Sequence, residues 1–130
     1  MGWIIAIDAG TTGVRAVATE VPAGNEPSEP VSSYREFPQY FPSPGWVEHD
    51  ANEIWTATET VLRDVIDRLC RSESSKGRPS DAIAAIGITN QRETLVAWDA
   101  RDGEPRHHAI VWQDRRTAER CSELEDKGEL

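Results

Sequence analysis

Ile4-Ile5-Ala6-Ile7-Asp8-Ala9-Gly10-Thr11-Thr12-Gly13-Val14-Arg15-Ala16-Val17 sets one acid, two glycines, two threonines and an arginine between two apolar runs. The β-branched run from Trp3 to Ile7, the break at the glycines and the alternation of Val14, Ala16 and Ala18 up to Thr19 predict strand, turn, strand. Gly10 and Gly13 permit positive φ and close approach of a ligand to the backbone, while the Thr11 and Thr12 hydroxyls and the exposed amides supply short hydrogen-bonding groups. Such a turn can cradle phosphate oxygens. Arg15 adds a fixed positive charge suited to them, and Asp8, at the strand end, can hold Mg²⁺ through its waters, because this ion takes few carboxylates and keeps much of its hydration shell. The same residues equally describe a plain glycine-containing hairpin with solvated Thr and Arg. The stretch lacks the Gly-Lys-Ser/Thr ending of a P-loop and the GxGxxG spacing of a dinucleotide fold.

Outward from this turn, 130 residues suffice for one compact domain with its own core. An apolar fraction of 38% with five Trp suits a globular chain, and a net charge of −9 disfavours nucleic acid or an anionic membrane as partner. No run approaches the ~20 apolar residues of a membrane span, and the apolar run after Met1-Gly2 is too short for a signal peptide. A soluble, cytoplasmic protein is expected. Cys70 and Cys121 stand far apart in charged, helix-like surroundings without a second ligand at metal spacing, and read as reduced structural residues.

Val21 to Pro30 holds three prolines, Gly24 and Asn25, which end the second strand and lead through a polar connection to a third at Val31 to Phe37, completing a three-strand meander over 3–37. Pro38 to Gly45, again with three prolines, is irregular. Asp50 followed by Glu53 has capping-box spacing and predicts a helix over 51–70. Its apolar positions Ile54, Ala57, Val61, Leu62, Val65, Ile66 and Leu69 recur every three or four residues, as one buried face requires. Arg71 to Ser80 is a linker. Ile83 to Ile88, Leu95 to Trp98 and Ala109 to Trp112 then read as buried strands, the last two separated by a hairpin-type turn at Arg101 to Glu104. A charged helix is expected from Arg115.

Two further clusters can carry chemistry. Gly87-Ile88-Thr89-Asn90-Gln91-Arg92-Glu93-Thr94 turns polar at a strand end, and adjacent Arg92 and Glu93 place a donor fork beside an acceptor, a combination able to bind several hydroxyls of a polyol. A solvated surface ion pair is the plain alternative. In Ala109-Ile110-Val111-Trp112-Gln113-Asp114-Arg115-Arg116-Thr117, Trp112 offers either a flat apolar wall for a ligand or ordinary packing, and Asp114 is placed to cap the helix that follows.

DAGTTGVRA at Asp8 to Ala16, PGWVEHD at Pro44 to Asp50, GITNQRET at Gly87 to Thr94 and AIVWQDRRT at Ala109 to Thr117 occur together and in order. On these motifs the chain resembles, over nearly its whole length, the start of the FGGY carbohydrate kinase family, with PGWVEHD and VWQDRR pointing to its glycerol-phosphorylating branch. The resemblance implies an α/β, ribonuclease-H-like fold of the actin-like ATPase superfamily, with a mixed five-stranded sheet, its first three strands antiparallel, flanked by helices. Residues 1–130 would form only part of the N-terminal domain, with the C-terminal domain absent. The implied reaction moves the γ-phosphoryl group of ATP to a primary hydroxyl of glycerol, with Mg²⁺. Asp8 would position the Mg²⁺ through water, Thr11, Thr12, Gly13 and Arg15 would contact phosphates, Arg92 and Glu93 would bind glycerol hydroxyls, and Trp112 would face the carbon backbone. Ala9 and Gly13 depart from the family's frequent Gln and Ser. The family's catalytic base, an Asp in a Gly-Asp-Gln motif, has no counterpart here, so the chain alone is expected to be inactive; the resemblance further implies a homo-oligomeric full-length parent. A kinase for another polyol, or a noncatalytic binding module on the same fold, are the alternatives.

Overall fold

In a computed structural model, residues 2–21, 29–72 and 83–129 are described. The connection read at 22–28 and the linker beyond residue 72 lie outside them. The chain divides into two compact units, the first drawn from the described residues of 1–37 and 52–91, the second from those of 38–51 and 92–129.

In the first unit, β1 (Gly2–Ala9), β2 (Gly13–Val21) and β3 (Val31–Glu36) form an antiparallel meander, and β5 (Ile83–Thr89) joins β1 in parallel, giving the order β3-β2-β1-β5. Alternation decides the two faces: Trp3, Ile5, Ile7, Val14, Ala16 and Ala18 are buried, and Ile4, Ala6, Asp8 and Arg15 between them are exposed. Helix α1 (Ala51–Ser72) covers the buried face with Ala57, Val61, Val65 and Leu69, one residue from each turn, while Ile54, Leu62 and Ile66 pack at its margin. Polar ties fix α1 against β3: Ser33 donates to Asp64 at 3.1 Å and Arg68 to the Ser32 carbonyl at 2.8 Å.

β5 corrects the expectation of a buried strand. Its Ile86 and Ile88 pair in register with Ile5 and Ile7, hence share their face, yet Ile88 is 72% exposed. A helix is about 10 Å across and strands lie about 4.8 Å apart, so one helix shields only a few neighbouring strands, and α1, packed on β1 and β2 and tied to β3, lies away from β5 at the other end of the sheet.

The second unit holds a two-stranded ladder, β4 (Glu48–His49) against β6 (Ala109–Ile110). Leu95 to Trp98, expected as a strand, contributes only isolated bridges, Leu95 to Ile110 and Trp98 to Pro105, and Leu95 is 65% exposed. The turn between them forms at 100–102, with Gly103 at φ +77°. β6 is shorter than the expected 109–112, because Trp112 and Gln113 enter a turn. Helix α2 (Ala118–Asp126) begins later than Arg115, after Thr117, and buries no side chain.

Replacing Ile5, fully buried under α1, by Ala should cost about 2–5 kcal/mol through lost transfer energy and a cavity. Trp55→Ala, on the exposed side of α1, should stay within about 0.5 kcal/mol. Urea denaturation of the two variants checks the contrast.

Candidate functional site

β1 and β2 close through a hydrogen bond from the Gly10 amide to the Gly13 carbonyl, 3.0 Å. Neither glycine uses the positive φ open to it. Lack of space accounts for Gly13. A Cβ on Gly13 would lie 2.6 Å from both the Arg35 carbonyl and the Tyr34 hydroxyl, and one on Gly10 would lie 3.3 Å from the Gly13 carbonyl.

The register sets a polar row across all four strands. Asp8 pairs with Arg15, Arg15 with Tyr34 on β3, and Asp8 with Thr89 on β5. All four are exposed, on the face opposite α1. Thr11 and Thr12 occupy the turn above the row, so Asp8, Thr11, Thr12, Gly13 and Arg15 gather at one end of one sheet. Two neighbours were given no role in the sequence reading. Gln91 donates its side-chain amide to the Gly10 carbonyl at 2.9 Å, tying the end of β5 to the turn, and Tyr34 places its hydroxyl 3.3 Å from that of Thr12. Gln91 lies inside a quoted motif; Tyr34 becomes visible only through the β2–β3 register.

The polar row fits a hydrated magnesium ion carried by a phosphate chain. It presents a single exposed carboxylate, Asp8, and Mg²⁺ characteristically uses one or two carboxylates together with substrate phosphates. Among the described residues no group of three or more His, Cys, Asp or Glu forms a dedicated metal cage.

Arg92, Glu93 and Trp112 belong to the second unit. Thr94 joins their segments by accepting a hydrogen bond from the Trp112 amide at 3.3 Å, and Leu95 and Ile110 exchange backbone hydrogen bonds of 2.9 Å. Trp112 is 54% exposed. Glu93 has φ +60°, a left-handed conformation unusual for a side chain of this kind and one that recurs at ligand-binding positions.

The second unit also holds a charge cluster. Asp114 receives the Val47 amide at 2.7 Å and the Arg116 amide and guanidinium at 2.8–2.9 Å, while Arg116 also binds Glu48 at 2.8 Å. The guanidinium lies 3.8 Å from the centre of the Trp46 ring. Asp114 therefore braces the Trp46–Val47 segment and does not cap α2, whose N-cap is Thr117. The Arg116 hydrogen bond, with help from the two backbone amides, holds Asp114 well below the usual carboxylate range against the opposing effect of burial. The same guanidinium lowers Glu48, with His107 and His108 adding smaller contributions, and the Asp114 and Glu48 carboxylates raise Arg116.

Solved sugar and polyol kinases share this architecture. Gluconate kinase from Lactobacillus acidophilus aligns with a TM-score of 0.78 at 23% identity, over 98% of this chain and 23% of that one. Plasmodium falciparum glycerol kinase with ADP aligns with a TM-score of 0.75 at 31% identity, over 98% and 23%. The fold is thus the α/β, ribonuclease-H-like mixed sheet with flanking helices found at the start of such kinases. The chain belongs to the FGGY family of carbohydrate kinases, whose N-terminal domain matches residues 3–130. The glycerol kinase of Ectopseudomonas mendocina (strain ymp) is 50% identical over 129 residues, which cover 97% of this chain and 23% of that enzyme. The chain spans less than a quarter of the length of these relatives.

Asp114 and Glu48 both titrate lower folded than unfolded, so their contribution to stability is complete above their unfolded values, about pH 4, and disappears as pH falls through the folded values. Asp114→Asn should lower stability at pH 7 by about 1.5–3 kcal/mol, the range for hydrogen bonds to charged groups. It should also flatten the loss between pH 5 and 2, as read from urea midpoints across that interval; an unchanged slope would show that the cluster is not its source.

Proposed function

We propose that these residues form the N-terminal part of an ATP-dependent glycerol kinase, giving glycerol 3-phosphate and ADP. The observation that carries this reading is 50% identity to a glycerol kinase over 97% of the chain. Thr11, Thr12, the Gly13 amide and Arg15 bind the phosphates and offset charge moving onto the leaving ADP. Asp8 holds Mg²⁺ through water; when bound, the ion neutralises phosphate charge. Arg92 and Glu93 bind the glycerol hydroxyls, the guanidinium donating and the carboxylate accepting, and Trp112 covers the carbon chain. On this reading the general base and the second lobe lie outside these 130 residues. The complete enzyme works in the cytoplasm as a homo-oligomer. Among the described residues no helix is long and apolar enough to cross a membrane.

A chimera provides the test, with residues 3–130 replacing the matching segment of the Ectopseudomonas mendocina enzyme. It should phosphorylate glycerol with ATP in preference to pentuloses and hexuloses. Arg15→Ala should lower kcat/KM by about 10²-fold, the scale of one lost transition-state donor. A folded chimera that turns over a pentulose as fast as glycerol would refute the glycerol assignment.

Glu93 supplies a second check. Glu93→Gly removes the carboxylate and relieves the left-handed backbone, so it should raise the KM for glycerol at least tenfold while stability holds or rises by up to about 1 kcal/mol. Glycerol kinetics and thermal unfolding of the chimera read the two effects separately.

A further inference from the structure

We propose that Tyr34 is a positioning residue of the phosphate turn, orienting the Thr12 hydroxyl and the Arg15 guanidinium together; the inference rests on the reading of that turn as the nucleotide phosphate site. Three observations meet at this one side chain. Its hydroxyl lies 3.3 Å from the Thr12 hydroxyl. Its ring lies beneath the Arg15 guanidinium, 5.3 Å from ring centre to guanidinium carbon, within the range of a cation–π contact. Its hydroxyl and ring end also fill the space that a side chain at position 13 would need, with a Cβ there falling 2.6 Å from the hydroxyl oxygen and 2.7 Å from the adjacent ring carbon.

The chemistry follows from donor strength and geometry. Either hydroxyl can donate in this pair; a phenol is the stronger donor, and when the Tyr34 O–H donates the Thr12 oxygen accepts. Thr12 then has its own proton free to donate outward, and an anion is the partner that takes it. The electron-rich ring face meanwhile limits the positions open to Arg15, whose strand neighbour across the β2–β3 ladder is Tyr34 itself. Both groups that would meet a phosphate chain are therefore set by a residue 19 positions further along the chain than Arg15. Pre-setting them reduces the ordering cost of binding.

The chimera with residues 3–130 is assayed as Tyr34→Phe, Tyr34→Leu and Arg15→Ala. Tyr34→Phe keeps the ring and loses the hydroxyl; it should raise the KM for ATP about 3- to 10-fold, the worth of one neutral hydrogen bond, and leave the KM for glycerol unchanged. Tyr34→Leu also loses the surface under Arg15 and should raise the ATP KM further. If Tyr34→Phe matches the parent while Arg15→Ala is impaired, the positioning role is overturned and the phosphate site stands. If both match the parent, the phosphate reading falls and takes the proposal with it. A Tyr34→Phe variant that loses thermal stability but keeps its ATP KM assigns the tyrosine to structure alone and likewise overturns the proposal.

Discussion

The parity of the β1–β2 ladder is the constraint on which the first unit depends. Eight consecutive pairs run from Gly2 with Val21 to Ala9 with Val14, closed by the Gly10 to Gly13 hydrogen bond. In a strand of period two, a slip of one residue in this ladder would turn one strand over relative to the other, carrying either Ile5 and Ile7 or Val14, Ala16 and Ala18 away from α1 and sending Asp8 or Arg15 toward the core. Burial of that apolar set is far more favourable than its exposure, so the hydrophobic core selects the register. The register in turn selects the site. Asp8, Arg15, Tyr34 and Thr89 align on the open face because their neighbours along each strand are committed to the other face or to the ladder.

The second unit is ordered on a different principle. It buries few large apolar residues and relies on Arg116, shared between Asp114 and Glu48 and stacked on Trp46. A shielded ion pair of this kind gains little net stability over an apolar equivalent, but leaving one member unpaired is costly, so the cluster enforces a specific arrangement. The bidentate fork of an arginine suits this work, and a lysine could not reproduce both the paired hydrogen bonds and the stacking. The motifs PGWVEHD and VWQDRR are therefore bound to each other physically: Asp114 holds the Val47 amide, Arg116 holds Glu48, and the Arg115 amide reaches the Gly45 carbonyl at 2.7 Å.

How far the sequence discloses this architecture depends on whether a feature is local. The meander and the core face of α1 are readable because periods of two and near four are written directly into the apolar pattern at Ile5, Ile7, Val14, Ala16, Ala57, Val61, Val65 and Leu69. Asp8 and Arg15 are conspicuous because they interrupt or alternate with such runs. What escapes is whatever needs a distant partner. Asp114 looks like a helix cap until Val47 and Arg116 claim its oxygens. Gly10 and Gly13 look like residues chosen for backbone freedom, whereas the crowding by Tyr34 and the Arg35 carbonyl that makes Gly13 necessary comes from another strand. Tyr34 itself reads as an ordinary strand aromatic.

Ile83 to Ile88 shows a different limit, because an apolar run states what a strand is suited to contact and not whether this chain supplies the contact. β5 lies parallel to β1 at one end of the four-stranded order, and parallel strands generally need cover on both faces. One helix cannot provide it. The exposure of Ile86 and Ile88 on the same face as Ile5 and Ile7 thus follows from helix width, strand spacing and the position of α1, without any fault in the apolar pattern. It also accords with the proposed place of these residues within a longer kinase, since a sheet that continues to acquire helices would enclose those side chains and would support Gln91 and the turn it holds from the β5 side.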